Sequence, residues 1–368
     1  MKKHVAFLEN RNLSFAELLQ LDDETESHVL GAIVYAAVAL TYPQESIIGV
    51  PLIQVSMAPI GEIRSDRPAA AGDGAADAAA VCEVWLSGAA LTGGQCGDIR
   101  YRHDGETLFG AIELAESDAE SDSASTPLQH TTERAYRQIF GLLETLDYPF
   151  MLRAWNYMAD INSHSHGLER YRQFNRGRQE AFVACRRELV GNVPAACALG
   201  AAGGPLTISF LAGRKAPLAI ENPRQVSAYD YPQHYGPRSP TFSRASLARM
   251  GSDEVLFISG TASIVGHCTM HPGNVAKQTR ETLTNIEAVI QAANLQASRP
   301  LFSLDHLFYR VYVRHSADVA AVRDVMSSRM GASLNAVFLQ ADVCRQDLLI
   351  EIEASAALPA WSARSCAD

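Results

Sequence analysis

A chain of 368 residues, 47% of them hydrophobic, is long enough for two packed domains and too apolar for a disordered tether. A formal net charge of −10 argues against nucleic acid as a partner, because a phosphate backbone calls for a basic face, and no run of like charge reverses that balance. The longest apolar run, VLGAIVYAAVAL at 29–40, is too short to span a bilayer, and the opening MKKHVAFLENRNLSFAELLQLDD lacks the apolar centre of a signal peptide. A cytoplasmic protein with no membrane partner is therefore expected.

In chain order, the first ~60 residues read as a strand and helix that extend a first domain. Two Ala-, Asp- and Ser-rich stretches, 64–80 and 115–125, hold almost no large apolar residues and predict mobile surface loops. Around them lie a strand ending in Ser-Gly, VCEVWLSGAAL (81–91), a helix over 131–146 and a strand, MLRAWNYMADI (151–161). The helix has Ala135, Ile139, Leu142, Leu143 and Leu146 on one stripe. GAAGGP at 200–205 has neither the Lys-Ser/Thr ending nor the strand-to-helix setting of a phosphate loop, and predicts a turn.

The pattern then recurs. EVLFISGTASIV (254–265) is again a strand carrying Ser-Gly, followed by a helix over 276–295 with Leu283, Ile286, Val289, Ile290 and Ala293 as its stripe, and by the strand LFYRVYVRHSAD (307–318). A short helix (319–330) and two strands, SLNAVFLQADV and LLIEIEA, close the chain. The reading is an α+β fold of two tandem units, each a mixed sheet with helices on one face, divided into residues 1–205 and 206–368.

Alternation along LLIEIEA puts Leu348, Ile350 and Ile352 on one face and Leu349, Glu351 and Glu353 on the other. A carboxyl buried on such a face has its proton affinity raised by desolvation and suits a general acid near neutral pH. On the residues alone, a half-exposed Glu351 paired with Arg345 explains the pattern more simply. The seven cysteines, at 82, 96, 185, 197, 268, 344 and 366, form no CxxC pair and read as reduced thiols. His267 and His271 precede Pro272 and Gly273, where no helix is expected to align them, and no third ligand is evident, so no metal is expected. Trp155, Tyr157 and Tyr171 read as packing residues.

GTASIVGH, HPGNVAKQTRETLTNIEAVIQAANL with its Gln-Thr-x5-Asn-Ile spacing, YVRHSAD and the closing LIEIEA together resemble the RidA/YjgF superfamily, a chorismate-mutase-like fold. Within it the chain is most similar to the chorismatases, on YDYPQHYGPRSPTFSRA (229–245), FISGTASIVGH and the segment from Cys344 to Glu351. The likeness is detailed in the second half and degenerate in the first, although WNYMADIN and LERYRQFNRGRQEAF (155–182) share it.

The resemblance implies hydrolysis of chorismate to 3-hydroxybenzoate and pyruvate, without cofactor or metal. Glu351 would protonate the enolpyruvyl methylene, with Glu353 as the alternative acid. Cys344 and the small Ala262 match the pattern of the 3-hydroxybenzoate-forming type. Formation of 4-hydroxybenzoate, serving pigment or ubiquinone synthesis, stays open, as does the dihydroxycyclohexadiene carboxylate as product. Two substrate carboxylates call for cations and donors, for which Tyr235, Arg238, Arg244, Arg310, Tyr312 and Arg314 are candidates, with at least one of Arg310 and Arg314 reaching into the cleft. Imine deaminase activity of the RidA kind is disfavoured because SLNAVFL lacks the carboxylate-binding Arg usual there. A non-catalytic small-molecule binder is the remaining alternative. RidA proteins form trimers with sites between subunits, whereas a tandem chain can build such a cleft alone, so monomer and homotrimer both stay open.

Overall fold

The computed structural model describes residues 8–40, 49–60, 80–116, 125–250, 253–298, 302–331 and 334–358. Most of both low-complexity stretches, 64–79 and 117–124, lies outside the described residues. Among those described, no helix is long and apolar enough to cross a membrane.

Two six-stranded mixed sheets carry the fold, and they share one strand order. The first runs, in space, Ala195–Ala201, Phe150–Ala159, Leu206–Gly213, Thr107–Leu114, Ile99–His103 and Thr92–Cys96. The second runs Asn335–Gln340, Phe308–Val313, Ile350–Leu358, Asp253–Thr261, Ala245–Met250 and Leu218–Ile220. In each, the last strand in sequence inserts at the centre, antiparallel to both neighbours, and the edge strand pairs in parallel through a crossover helix. Helices Pro127–Thr145 and Arg170–Ala184 pack on the first sheet, and Val275–Asn294 and Val319–Met330 on the second.

The tandem α+β expectation therefore holds, but its first copy is built differently from the sequence reading. Strand Ala80–Ser87 is not the counterpart of Asp253–Thr261; Thr107–Leu114 is. Ala80–Ser87 belongs to a third sheet of four strands, ordered Leu52–Ser56, Val29–Ala36, Ala80–Ser87 and Leu8–Ser14, which repeats the first four places of the larger sheets. The opening residues are thus a reduced third unit rather than an extension. Its helices are single short turns, Phe15–Leu19 and Asp23–Ser27, the first fixed by a capping box between Ser14 and Glu17. The boundary at 205/206 also moves. Leu206–Gly213 hydrogen-bonds between Thr107–Leu114 and Phe150–Ala159, so the join between the larger units falls after Gly213.

The inner faces of all three sheets meet in one central core that includes Ile33 and Tyr35, Trp85, Trp155 and Tyr157, Leu211, Phe257 and Tyr312. Along Val29–Ala36, Ile33 and Tyr35 face that core while Ala32, Val34 and Ala36 face the short helices, which is why the strand reads as an unbroken apolar run. Backbone bonds close the ring of units: Ala202 N–H to Ser56 O at 2.8 Å, Gln340 N–H to Ala58 O at 2.8 Å and Gly200 N–H to Asp342 O at 2.8 Å.

The two helices on the first sheet touch backbone to backbone at Gly177, where a Cβ would overlap the carbonyl of Gln129, whereas Gly141 in the facing helix has open space around it. Gly177→Ala is expected to lower stability by about 1–3 kcal/mol through overpacking. Gly141→Ala should raise it by up to about 1 kcal/mol through helix propensity. Urea unfolding of the two variants checks the opposite signs.

Candidate active site

A cleft of about 520 Å³ opens between the two six-stranded units. Its wall from the first unit is the start of helix Arg170–Ala184, with Tyr171 and Asn175, and its rim is the connecting segment that carries Tyr231, Tyr235, Phe242 and Arg244. The second unit supplies Gly260, Ala262, Cys344, Arg345 and Glu351. An inner chamber of about 30 Å³ continues the cleft toward Arg178 and Cys197.

Local backbone irregularity aims the central carboxyl. Pairing between Asp253–Thr261 and Ile350–Leu358 slips between Ile258 and Thr261, because Ile258 faces Ala354 and Thr261 faces Ile352. The extra residue is a β-bulge at the cleft. Gly260 lies in this bulge, and a Cβ there would overlap Glu351 Oε1, so glycine is what lets the carboxyl occupy its place. Glu351 is 4% exposed, with Cys344 Sγ 3.9 Å from its Oε2. Burial first, and the neighbouring Glu353 carboxylate second, push the Glu351 carboxyl up to about 8 against the pull of Arg153. Burial, then the Glu351 charge, pushes the Cys344 thiol up to about 12. At neutral pH the cleft therefore presents a carboxylic acid beside an un-ionised thiol.

The Gln-Thr-x5-Asn-Ile helix holds both sides of this pair. Gln278 donates to Asp347 O at 2.8 Å and accepts from Leu349 N–H at 2.8 Å, fixing the entry to the acid's strand. Asn285 donates to Ala262 O at 3.0 Å and Ile264 O at 2.9 Å, which fixes the wall opposite.

Of the residues singled out from the sequence, Glu351, Cys344, Ala262, Tyr235 and Arg244 come together in the cleft. Arg238 does not; it is exposed on the connecting segment and outside the lining. Arg310 and Tyr312 also lie elsewhere, because the inner face of their strand looks into the central core. Arg310 pairs there with Glu83 at 2.8 Å, both 2% exposed, and the Tyr312 hydroxyl donates to Glu353 Oε1 at 2.8 Å. Arg314 stands behind the cleft. It donates to the carbonyls of Leu348 at 2.9 Å, Val343 at 3.1 Å and Arg345 at 2.9 Å, and so gathers the loop that carries Cys344. Neither arginine of that strand reaches the cleft. Glu353 faces the core, held by Arg153, by Trp155 Nε1 at 3.2 Å and by Tyr312, and is not available as an acid.

Three cleft residues escaped the sequence reading. Tyr171 lines the cleft rather than serving only as packing. Arg345 lies 4.1 Å over the Tyr235 ring and donates to His267 O at 2.9 Å, leaving its buried second terminal nitrogen without a partner. Arg178, 2% exposed, stacks on Tyr136 and Phe182 and keeps Nε and one terminal nitrogen unpartnered. Arg244 Nε is likewise unpartnered, while its terminal nitrogen donates to Val226 O and Tyr231 Oη at 2.7 and 2.9 Å. Buried guanidinium N–H groups without acceptors make these three arginines the cleft's candidate anion anchors. The signal for Arg178 was its spacing: Phe174, Arg178 and Phe182 recur every fourth residue on a helix face.

The fold and this cleft bring a carboxyl of raised proton affinity and several guanidinium groups around a space of small-molecule size. Residues 83–212 match the family described as Chorismatase FkbO/Hyg5-like, N-terminal, and residues 240–358 match Endoribonuclease L-PSP. A 3-hydroxybenzoate synthase of Streptomyces hygroscopicus is 42% identical over 282 residues, 74% of this chain and 80% of that protein. A chorismatase of Streptomyces rapamycinicus is 44% identical over 231 residues, 60% of this chain and 68% of that protein. A chorismatase crystal structure superposes with a TM-score of 0.79 at 31% identity, covering 96% of this chain and 99% of that one. The chain belongs to the chorismatase family.

Gly260→Ala is expected to keep the fold but to displace the Glu351 carboxyl, lowering kcat on the family's substrate, chorismate, by roughly a hundredfold. Far-ultraviolet circular dichroism run beside pyruvate release checks both halves of that outcome.

Proposed function

We propose that this enzyme converts chorismate to 3-hydroxybenzoate and pyruvate, with Glu351 as the general acid. The observation that carries the reading is the pairing of Glu351, protonated at neutral pH, with the un-ionised Cys344 thiol in a cleft lined by guanidinium groups. Relatives named 3-hydroxybenzoate synthase and chorismatase support the substrate and product.

Protonation of the enol ether's terminal methylene by Glu351 gives an oxocarbenium ion. Carbon protonation is slow, and a positioned acid in a dry site suits it. The neighbouring ring hydroxyl then attacks the ring carbon that bears the ether, the carbon–oxygen bond breaks, and pyruvate leaves with both electrons of that bond. The hydroxyl proton returns to the Glu351 carboxylate, and rearrangement of the ring intermediate yields the phenol. No net water is consumed, so the conversion is an intramolecular displacement and rearrangement rather than the hydrolysis that the resemblance implies. Cys344 and Ala262 favour this course by presenting a polarisable, non-basic surface where a water molecule would otherwise be activated. Arg178, Arg244 and Arg345 hold the two substrate carboxylates in the orientation the attack needs. One chain supplies both walls of the cleft, so the site calls for no second copy.

Incubation of the protein with chorismate, without metal or cofactor, should release equimolar pyruvate and 3-hydroxybenzoate, resolved by chromatography. Absence of pyruvate would overturn the reading. Glu351→Gln should retain chorismate binding and lose turnover by about 10²- to 10⁴-fold. Because the active form is the protonated acid, kcat/KM should be level below pH 8 and fall tenfold per unit above it. Cys344→Ala is expected to admit water and raise the share of dihydroxycyclohexadiene carboxylate, visible in the same chromatogram.

A further inference from the structure

The central core holds two buried ion pairs, each joining two units. Arg310 of the second large unit meets Glu83 of the small N-terminal unit, and Arg153 of the first large unit meets Glu353 of the second. Tyr35, Tyr157 and Tyr312, one from each unit, join the pairs: Tyr35 Oη lies 3.3 Å from Glu83 and 2.7 Å from Tyr157, Tyr157 lies 3.5 Å from Tyr312, and Tyr312 reaches Glu353.

The strand registers identify what occupies the third junction of this ring. Arg310 lies opposite Glu353, Arg153 opposite Leu211 and Ile33 opposite Glu83. The place of each arginine is thus taken by Ile33 in the small unit, and the place of each glutamate by Leu211 in the first large unit. Both are 0% exposed and share the central core. Aliphatic residues of the same core therefore stand at the equivalent places of the third junction, and burying charge there is no structural necessity. A buried ion pair is in general no more stabilising than a well-packed apolar pair of similar volume. Arg153 and Glu353 call for another reason.

Glu353 stands two residues beyond Glu351 on the same dry strand face, about 7 Å away along the strand. We infer that Arg153 and Glu353 are positioning residues for the acid: Arg153 fixes the negative charge on Glu353, and that charge, one pleat from Glu351, holds the proton on Glu351. The inference rests on Glu351 being the acid. The other groups around Glu351 are Cys344, Arg345 and Asp347 from its own loop, Cys197 from Ala195–Ala201, Arg244 from the rim, Glu169 at the N-cap of helix Arg170–Ala184, and Tyr171 and Arg178 from that helix. Of the carboxylates among them, Glu169 and Asp347 stand on loop and helix-start positions, whereas Glu353 alone shares the strand face of Glu351, so Glu353 is the anion placed to oppose its ionisation. After burial, it is the strongest influence raising the Glu351 carboxyl, and Arg153 is the strongest opposing it.

The test is the pH dependence of kcat/KM for pyruvate release from chorismate in wild type, Glu353→Gln and the double variant Arg153→Ile with Glu353→Leu, which copies the residues of the third junction. In Glu353→Gln the opposing anion is lost and Arg153 is left facing the acid, so the alkaline limb should move down by a pH unit or more, with activity on the acid side retained. At pH 8 this reads as a loss of roughly fivefold or more. The double variant should fold, because aliphatic residues already fill the equivalent places at Ile33 and Leu211, with its limb between those of wild type and Glu353→Gln. A limb that stays at its wild-type position in both active variants would overturn the inference and leave the pair a packing element. Glu351→Gln separates the two claims: if it turns over as fast as wild type, the acid assignment itself is wrong, whatever the Glu353 variants do.

Discussion

Two carboxyl groups one pleat apart on the same dry strand face cannot both be ionised cheaply, and the cation beside them binds only one. At an effective dielectric of ~20, two charges about 7 Å apart repel by roughly 2 kcal/mol, before any desolvation is counted. Arg153, Trp155 and Tyr312 converge on Glu353, so the proton remains with Glu351. This arrangement costs stability as pH rises. A carboxyl held at about 8 in the fold and near 4.3 in the unfolded chain favours the native state fully only below about pH 4.3, and that contribution is lost progressively up to about 8. The molecule carries this cost at a cleft, where enzymes commonly concentrate such shifts.

The architecture serves that one group. Three units of a common strand order face inward, so that the cleft between the larger two has a wall from each while its floor backs onto the central core. The bulge at Gly260 turns Glu351 to the cleft, and Gln278 and Arg314 fix the chain on either side of Cys344 through main-chain carbonyls. Gln278 and Arg314 lie outside the cleft lining and act only by holding the chain that forms it, which is how a site stays pre-organised.

Much of this was legible in the sequence where one local rule decides the outcome. The period of two in LLIEIEA put Ile350 and Ile352 under the helices and both glutamates on the other face, as observed. The apolar stripes of 131–146 and 276–295 predicted the long helices, and the Gln278 and Asn285 spacing carried the family resemblance, although what the two side chains hold became visible only in the structure. What escaped was decided by long-range geometry. The same alternation that exposed Glu351 to a cleft placed Arg310 and Tyr312 on a face that the sequence could not distinguish as cleft or core, since that depends on how three sheets converge. Arg238 and Arg244 stand in one segment, yet only Arg244 turns inward, where Val226 and Tyr231 hold it. The first repeat was misaligned because Ser-Gly at the end of Ala80–Ser87 mimics that in Asp253–Thr261, while the true counterpart, Thr107–Leu114, lacks it.

The most direct test of the account is the protonation state of Glu351 itself. Infrared difference spectra between wild type and Glu351→Gln, recorded from pH 5 to 10, isolate its carbonyl band. The account predicts a carboxylic acid band at pH 7 that disappears with a midpoint near 8. A carboxylate already formed at pH 7, with a midpoint near the ordinary glutamate value of about 4.3, would contradict it.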